Sequence, residues 1–95
     1  MKVFSWDQQK NELLRTSRGV GFEEVIIAIS EGMILDVLEH PNKEKFGHQK
    51  VFIIEINQYA YLVPFVENEL EVFLKTIIPS RKATRKYKIT TKGGI

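Results

Sequence analysis

The bases near the carboxyl end are the strongest chemical signal in this sequence. Six of them follow Pro79 with no acid among them: Arg81, Lys82, Arg85, Lys86, Lys88 and Lys92. The chain holds 14 bases and 12 acids, so removing these six from the 14 leaves eight bases against 12 acids. A mildly acidic chain with one basic segment attached to the end of a strand has the electrostatic pattern of a site for phosphates or nucleic acid.

Three other side chains suggest proton transfer. His40 and His48 are the only histidines, and histidine is the side chain whose ordinary pKa lies nearest to neutrality. Glu55 interrupts an apolar run, which fits either a partly buried base or a surface carboxylate paired with Lys50 or Lys75 on a neighbouring strand. The chain has no cysteine, so disulfides and thiolate chemistry are excluded. Two histidines without an acid at helical ligand spacing give no recognisable metal site, and no cofactor is expected.

The composition is that of one small globular domain. The chain has 95 residues, of which 43% are hydrophobic and 27% charged. We expect the domain to span residues 1–90 and residues 91–95, which show no packing pattern, to form a disordered tail. The first residues become polar too early for a signal peptide, and no apolar run approaches the roughly 18 residues needed to cross a bilayer. A cytoplasmic location is therefore expected.

The amino-terminal part predicts one strand and two helices. Residues 3–6 are aromatic and β-branched, as in a strand, and Asp7 is placed to cap a helix over residues 8–18. A second helix is predicted to begin at Phe22, because paired acids in its first turn suit the helix dipole and Gly32 ends it. Its β-branched centre fits a buried strand as well, but a length near ten residues favours the helix.

The remainder predicts strands joined by turns and a short last helix. Four strands are expected, over residues 33–39, 50–56, 59–66 and 72–78. Asn57 and Gln58 are expected to form a tight hairpin turn. Pro64 has no N–H to donate, so we expect a bulge or an edge position there. Ser80 is placed to cap a basic helix over residues 81–88.

Together these elements predict an α+β fold. The sheet is expected to be an antiparallel meander with its helices on one face: two N-terminal helices and a short basic C-terminal helix after the last strand. That arrangement would hold the tail bases at the end of the sheet.

Three blocks of the sequence, in this order, resemble the BrnT family of bacterial toxins. They are residues 4–11 (FSWDQQKN), 18–24 (RGVGFEE) and 77–84 (IIPSRKAT), and they bracket most of the chain. The resemblance implies a ribonuclease toxin of a type II toxin–antitoxin system with a fold similar to the RelE class. It also implies an antitoxin partner, encoded beside the toxin, that binds the toxin and carries a DNA-binding motif.

Metal-independent RNA cleavage assigns roles to the candidate residues. It requires deprotonation of the 2′-hydroxyl, stabilisation of charge on the phosphorus, and protonation of the leaving 5′-oxygen. Arg81 and Arg85 are the candidates for the phosphate, since they lie one helical turn apart. His48 and Glu55 are the candidates for proton transfer. The alternative for the two arginines is a solvated helix that serves only solubility.

Further side chains are candidates for contacts with RNA phosphates and bases: Lys10, Lys50, Lys75, Lys82, Lys86 and Tyr87. Two other functions use the same basic segment. One is a nucleic-acid-binding module without catalysis, and the other is a docking surface for an acidic partner such as the antitoxin. A homo-oligomer or a hetero-oligomer with the antitoxin is compatible with either function.

Overall fold

The computed structural model describes residues 2–39, 44 and 49–89. In these ranges it is a mixed α+β fold with a six-stranded sheet and three helices. The elements are β1 (Val3–Trp6), α1 (Gln8–Arg18), α2 (Phe22–Ser30), β2 (Ile34–Glu39), β3 (Gln49–Ile56), β4 (Tyr59–Glu67), β5 (Glu71–Leu74), β6 (Ile78–Pro79) and α3 (Arg81–Lys86). The expected tail over residues 91–95 lies outside the described residues.

The sheet is mixed, so the prediction of a purely antiparallel meander is wrong. Its order is β1-β5-β4-β3-β2, with β6 paired to β4 beyond the end of β5. The strands β2 to β5 pair antiparallel with their neighbours, but β1 pairs parallel to β5, with Val3 opposite Glu71 and Trp6 opposite Leu74. The two helices that follow β1 carry the chain away from the sheet, which is what allows β1 to pair with a strand distant in sequence.

The helices cover both faces of the sheet, which corrects the expectation that they share one face. Residues of α1 and α2 pack with alternate residues of β3 and β4 in the main core. On the other face, Ala83 of α3 packs on Ile53 and Ala60 in a second, smaller cluster. Alternation along a strand sends successive side chains to opposite faces, so the nearly continuous apolar run of β3 supplies both clusters.

The α1–α2 junction is held by short-range signals and one buried amide. Asp7 caps α1 by accepting from the main-chain N–H of two residues of the first turn, and Gly19 ends the helix at φ +72°. Asn11 is fully buried: its amide donates to both carboxylate oxygens of Glu23, and its Oδ1 accepts from Phe22 N at 2.7 Å. These bonds satisfy a buried polar group and set the angle between the helices.

The main core is formed by aliphatic and aromatic side chains from five strands and both N-terminal helices. Phe22, Ile54 and Leu74 are fully buried there. The rings of Phe52 and Phe65, on neighbouring strands, stack with their centroids 4.0 Å apart. This core anchors the sheet from the side opposite α3, so α3 rests on a surface that is already rigid.

Pro64 explains why the last predicted strand, residues 72–78, is divided into β5 and β6. It lies in the central strand β4 opposite Val51, without a register shift between β3 and β4. The Pro64 carbonyl accepts from Lys75 N at 2.8 Å, on the side of β4 that faces β5. The N–H and C=O of one strand residue point to the same side, so the N–H that proline lacks would also have pointed toward β5 and not toward β3. The prediction of a bulge or an edge position at Pro64 is therefore wrong: β4 is a central strand that continues without a bulge. The interruption occurs in its partner, where the ladder ends after Leu74 and resumes at Ile78.

The β3–β4 hairpin confirms the predicted two-residue turn. Asn57 and Gln58 have φ of 52° and 62°, as the first and second central residues of a type I′ turn require. Within the described ranges no helix is long and apolar enough to cross a membrane.

Candidate functional site

α3 is fastened to β4 by a set of side-chain and main-chain hydrogen bonds. Ser80 caps the helix by accepting from Ala83 N, and its own N–H donates to Ala60 O at 2.9 Å. Thr84 Oγ1 donates to Ser80 O and accepts from Ala60 N at 2.9 Å. Ala83 and Thr84 are buried, so this side of the short helix faces the sheet. A six-residue helix would not persist alone, and these contacts are what hold it.

A second attachment lies at the other end of α3. Tyr87, which follows the helix, donates its hydroxyl hydrogen to Asp36 Oδ2 at 2.7 Å, while Asp36 Oδ1 accepts from Val37 N. The hydrogen bond from Tyr87 holds the pKa of Asp36 below its usual value, helped by Val37 N–H and the nearby Lys86 ammonium. The same bond raises the pKa of Tyr87. The helix therefore crosses the sheet from β4 to β2.

Because one side of α3 is buried, its bases point outward. Arg81, Lys82, Arg85 and Lys86 are all exposed. Lys86 Nζ lies 5.6 Å from the centroid of the Tyr87 ring. No ion pair joins Arg81, Lys82 or Arg85 to any other residue in the described part of the chain. The result is a group of exposed cations on a fixed helix, three of which have no ion pair with a described carboxylate. We call these four residues the α3 patch.

Three bases elsewhere on the described surface, Lys2, Arg15 and Lys50, are neutralised by carboxylates. Lys50, a predicted phosphate contact, lies 3.4 Å from Glu67, whose other oxygen is 2.7 Å from Lys2 Nζ. Lys2 and then Lys50 hold the pKa of Glu67 below its usual value. Arg15 is paired with Glu23 at 3.1 Å in the same way. These three bases therefore differ from Arg81, Lys82 and Arg85 of the α3 patch in having a carboxylate partner.

The remaining predicted lysines lie apart from one another. Lys10 is exposed in the first turn of α1, the helix that packs on the face opposite α3. Lys75 is exposed in the gap between β5 and β6, and its main-chain N–H is taken up by Pro64. Tyr87 has its hydroxyl bound to Asp36 and its ring packed in the smaller cluster, so it is held rather than free to receive a base.

Glu55 lies next to α3 in the register of the sheet. It is the direct partner of Ala60, the residue to which the start of α3 is bound, so both side chains belong to the same face. Glu55 also borders a cavity of about 240 Å³ near the hairpin, whose lining includes Glu24, Glu31 and Met33. A lining with three carboxylates repels phosphate, so this cavity itself is not expected to bind RNA.

Two predicted or possible site residues, His48 and His40, lie outside the described residues. Three residues that matter for the α3 patch were not assigned a role from the sequence: Arg18, Asp36 and Thr84. Arg18 donates to the main-chain oxygen of Ile77, just before β6. A threonine between an alanine and an arginine carries no local signal for a contact with a strand 24 residues away. These contacts position α3 and become visible only once the sheet is assembled.

Among the described residues, no group of three histidine, cysteine or acidic side chains is arranged to hold a metal ion. Comparisons with models of protein families, with curated proteins and with solved structures give no match to this chain.

Proposed function

We propose that the protein is a metal-independent endoribonuclease acting as the toxin of a type II toxin–antitoxin pair, and that RNA phosphates bind to the α3 patch. The observation that carries the proposal is the set of exposed cations on a helix fastened to the sheet, three of which have no ion pair with another described residue. The resemblance of residues 4–11, 18–24 and 77–84 to the BrnT family supports the same function.

The patch suits a nucleic acid for two reasons. Unpaired cations gain most from phosphate, because no internal carboxylate must first be displaced. Guanidinium groups one turn apart, as in Arg81 and Arg85, bind phosphate oxygens through paired N–H groups. Buried Ala83 and Thr84 keep the helix from rotating, so the two arginines are presented in a defined direction.

The chemistry we propose is transfer of the phosphodiester to the neighbouring ribose hydroxyl. The 2′-oxygen loses its proton and bonds to phosphorus, while the bond from phosphorus to the 5′-oxygen breaks and that oxygen takes up a proton. The products are a 2′,3′-cyclic phosphate and a 5′-hydroxyl. Arg81 and Arg85 stabilise the charge on the phosphoryl oxygens. Glu55 and His48 are the candidates for base and acid.

The proposal extends to the fold and the partner. A RelE-like fold, which the resemblance implies, is part of the proposal, and the two N-terminal helices and the basic terminal helix support it. The antitoxin would neutralise the toxin by covering the cations that RNA needs. The other function consistent with the same patch is RNA binding without cleavage.

Purified protein and a labelled single-stranded RNA in EDTA test the proposal. We expect internal cuts whose 5′ fragments end in a cyclic phosphate. Arg81→Ala should lower the cleavage rate by about 100-fold, the usual loss when one stabilising donor is removed from a developing negative charge. Glu55→Gln should lower it by about 100-fold or more if Glu55 is the base.

Lys2→Ala is the matched control, because it removes one exposed base that is paired with Glu67, away from α3. It should cut RNA at the wild-type rate. RNA that binds but stays intact with every protein would select the non-catalytic module. Equal losses in Lys2→Ala and Arg81→Ala would show that net charge, and not the α3 patch, controls the reaction.

A further inference from the structure

The described residues cover only part of the sheet face that carries α3. The helix and the residues after it pack on Ile53, Ala60 and Leu62. By register and alternation, the same face continues through two more rows, which hold Gln49 and five apolar side chains. We call the five apolar side chains the open strip: Leu38, Val51, Pro64, Val66 and Phe73. None of these five belongs to either hydrophobic cluster of the described residues. Leu38 is 40% exposed and the other four are partly exposed.

Among the described residues, the open strip has the dimensions to take one helix beside α3. It crosses four neighbouring strands, β2 to β5, so at about 4.8 Å per strand it is about 14 Å long. That length matches about ten helical residues at 1.5 Å each. The centre of the strip lies about 13 Å further along the strands than the rows under α3. Packed helices need about 8–10 Å between their axes, so a second helix fits there without displacing the first.

The charges beside the strip indicate what kind of helix would fit. The strip is apolar, and the neighbouring helix α3 carries the α3 patch. Arg81, Lys82 and Arg85 of this patch have no ion pair within the described ranges. A helix with an apolar stripe would bury the strip, and carboxylates on its α3-facing side would neutralise the patch. Complementary charge next to buried apolar area gives both affinity and orientation.

We propose that the open strip binds an amphipathic acidic helix of a protein partner, with its apolar side on the strip and its carboxylates against the α3 patch. The proposal gives the chemistry of a partner for the surface that we propose binds RNA. It rests on the proposed function only where it places the partner and RNA on the same cations. Binding of the partner would then exclude RNA by occupying Arg81 and Arg85.

Two other occupants fit less well. A second copy of the chain would bring another α3 patch toward the first, and like charges at an interface oppose association. RNA would meet mainly aliphatic side chains, whereas single-stranded bases are bound by stacking on aromatic planes and by hydrogen bonds. Phe73 is the one aromatic residue in the strip. The observations therefore favour a protein helix.

The test uses three synthetic peptides of about 18 residues, titrated into isotope-labelled protein and followed by amide NMR. The first is made of leucine and glutamate with one leucine stripe. The second has the same composition in an order without a stripe, and the third replaces every glutamate with lysine. We expect the first to bind, with shifts at Val51, Val66 and Phe73, and the other two to bind at least 10-fold more weakly.

Protein variants separate the two halves of the surface. Val66→Lys should weaken the first peptide at least 10-fold, and Arg85→Glu, an exposed change that leaves the fold intact, should weaken it several-fold. Leu13→Lys is the control, since Leu13 is 65% exposed on α1, which packs on the opposite face. It should bind as the wild type does.

Three results would overturn the proposal. The peptide shifts could fall on α1 and α2 while Val66→Lys and Arg85→Glu bind normally. The protein alone could form a dimer that Val66→Lys abolishes, which would make a second copy the occupant. A short RNA could lose as much affinity as the peptide in Val66→Lys, which would assign the strip to RNA. Because cleavage is not measured, the proposed ribonuclease function can fail while this proposal stands, and the reverse.

Discussion

The salt dependence of RNA binding is a quantitative consequence of the α3 patch. If all four of its bases contact phosphates, each releases counterions, and the logarithm of affinity falls with the logarithm of salt at about 0.7 per contact for a single strand. Four contacts give a slope of about −2.8. Raising salt from 50 to 200 mM, a fourfold change, should then weaken binding about 50-fold. The double variant Arg81→Ala/Arg85→Ala should halve the slope to about −1.4, which corresponds to about 7-fold over the same range.

Fluorescence anisotropy with a labelled single-stranded oligonucleotide at several salt concentrations measures this slope directly. The matched control is Lys2→Ala/Lys50→Ala, which removes the same charge from bases already paired with Glu67. Its slope should stay near −2.8, since paired cations release few counterions. The reasoning fails if the arginine variant keeps the wild-type slope. It also fails if the control loses as much, because net charge would then explain the binding.

Three further predictions concern how the site is held. Thr84→Val should lower the free energy of unfolding by about 1–3 kcal/mol in urea denaturation, because Ala60 N–H is left buried without an acceptor; Thr84→Ser, which keeps the oxygen, should cost less. Gly21→Ala should cost about 1–3 kcal/mol in the same assay, since the added Cβ would lie 2.9 Å from Oδ1 of the buried Asn11; a stability equal to wild type would show that the junction can adjust. Asp36→Asn should lower the free energy of unfolding at neutral pH, and its difference from wild type should shrink as pH falls. The pKa of the Asp36 carboxyl is lower in the folded state than its ordinary value near 4, so the ionised carboxylate stabilises the folded state above that pH. This stabilisation is lost as pH falls through the lower pKa of the folded state. A difference that does not vary with pH would mean that the charge of Asp36 does not contribute.

Several elements could be predicted from the sequence because they depend on residues that are close together in the chain. The cap at Asp7 and the left-handed Gly19 depend on residues within one helical turn, so the bounds of α1 agree with the prediction. The Asn57–Gln58 turn is equally local, because two residues between alternating apolar runs leave few ways to reverse the chain. These signals need no knowledge of the rest of the fold.

Pro64 shows where sequence reasoning stops. The missing N–H predicts a bulge or an edge position at Pro64, and neither is present; the interruption lies in the partner strand instead. The structure shows which neighbour of β4 is interrupted. β3 pairs with β4 along its whole length, while the chain between Leu74 and Ile78 leaves the ladder. That choice depends on which side the absent donor faces, and this follows from the register and not from composition.

The candidate site divides in the same way. The bases of the α3 patch are visible in the sequence, because no acid accompanies them. The neutralisation of Lys50 is not visible in the sequence, because its partner Glu67 lies 17 residues further along the chain and contacts it across the sheet. The roles of Thr84 and Asp36 are hidden for the same reason: their partners, Ala60 and Tyr87, are 24 and 51 residues away.

The sequence by itself determines the local elements and the segregation of charge, because caps, turns and helix spacing act over a few residues and charge is a property of composition. The tertiary structure alone decides that β1 pairs parallel to β5, that α3 packs on the face opposite α1 and α2, and which cations stay unpaired. Those outcomes depend on register and on the burial of both faces of β3, which arise only when distant segments meet.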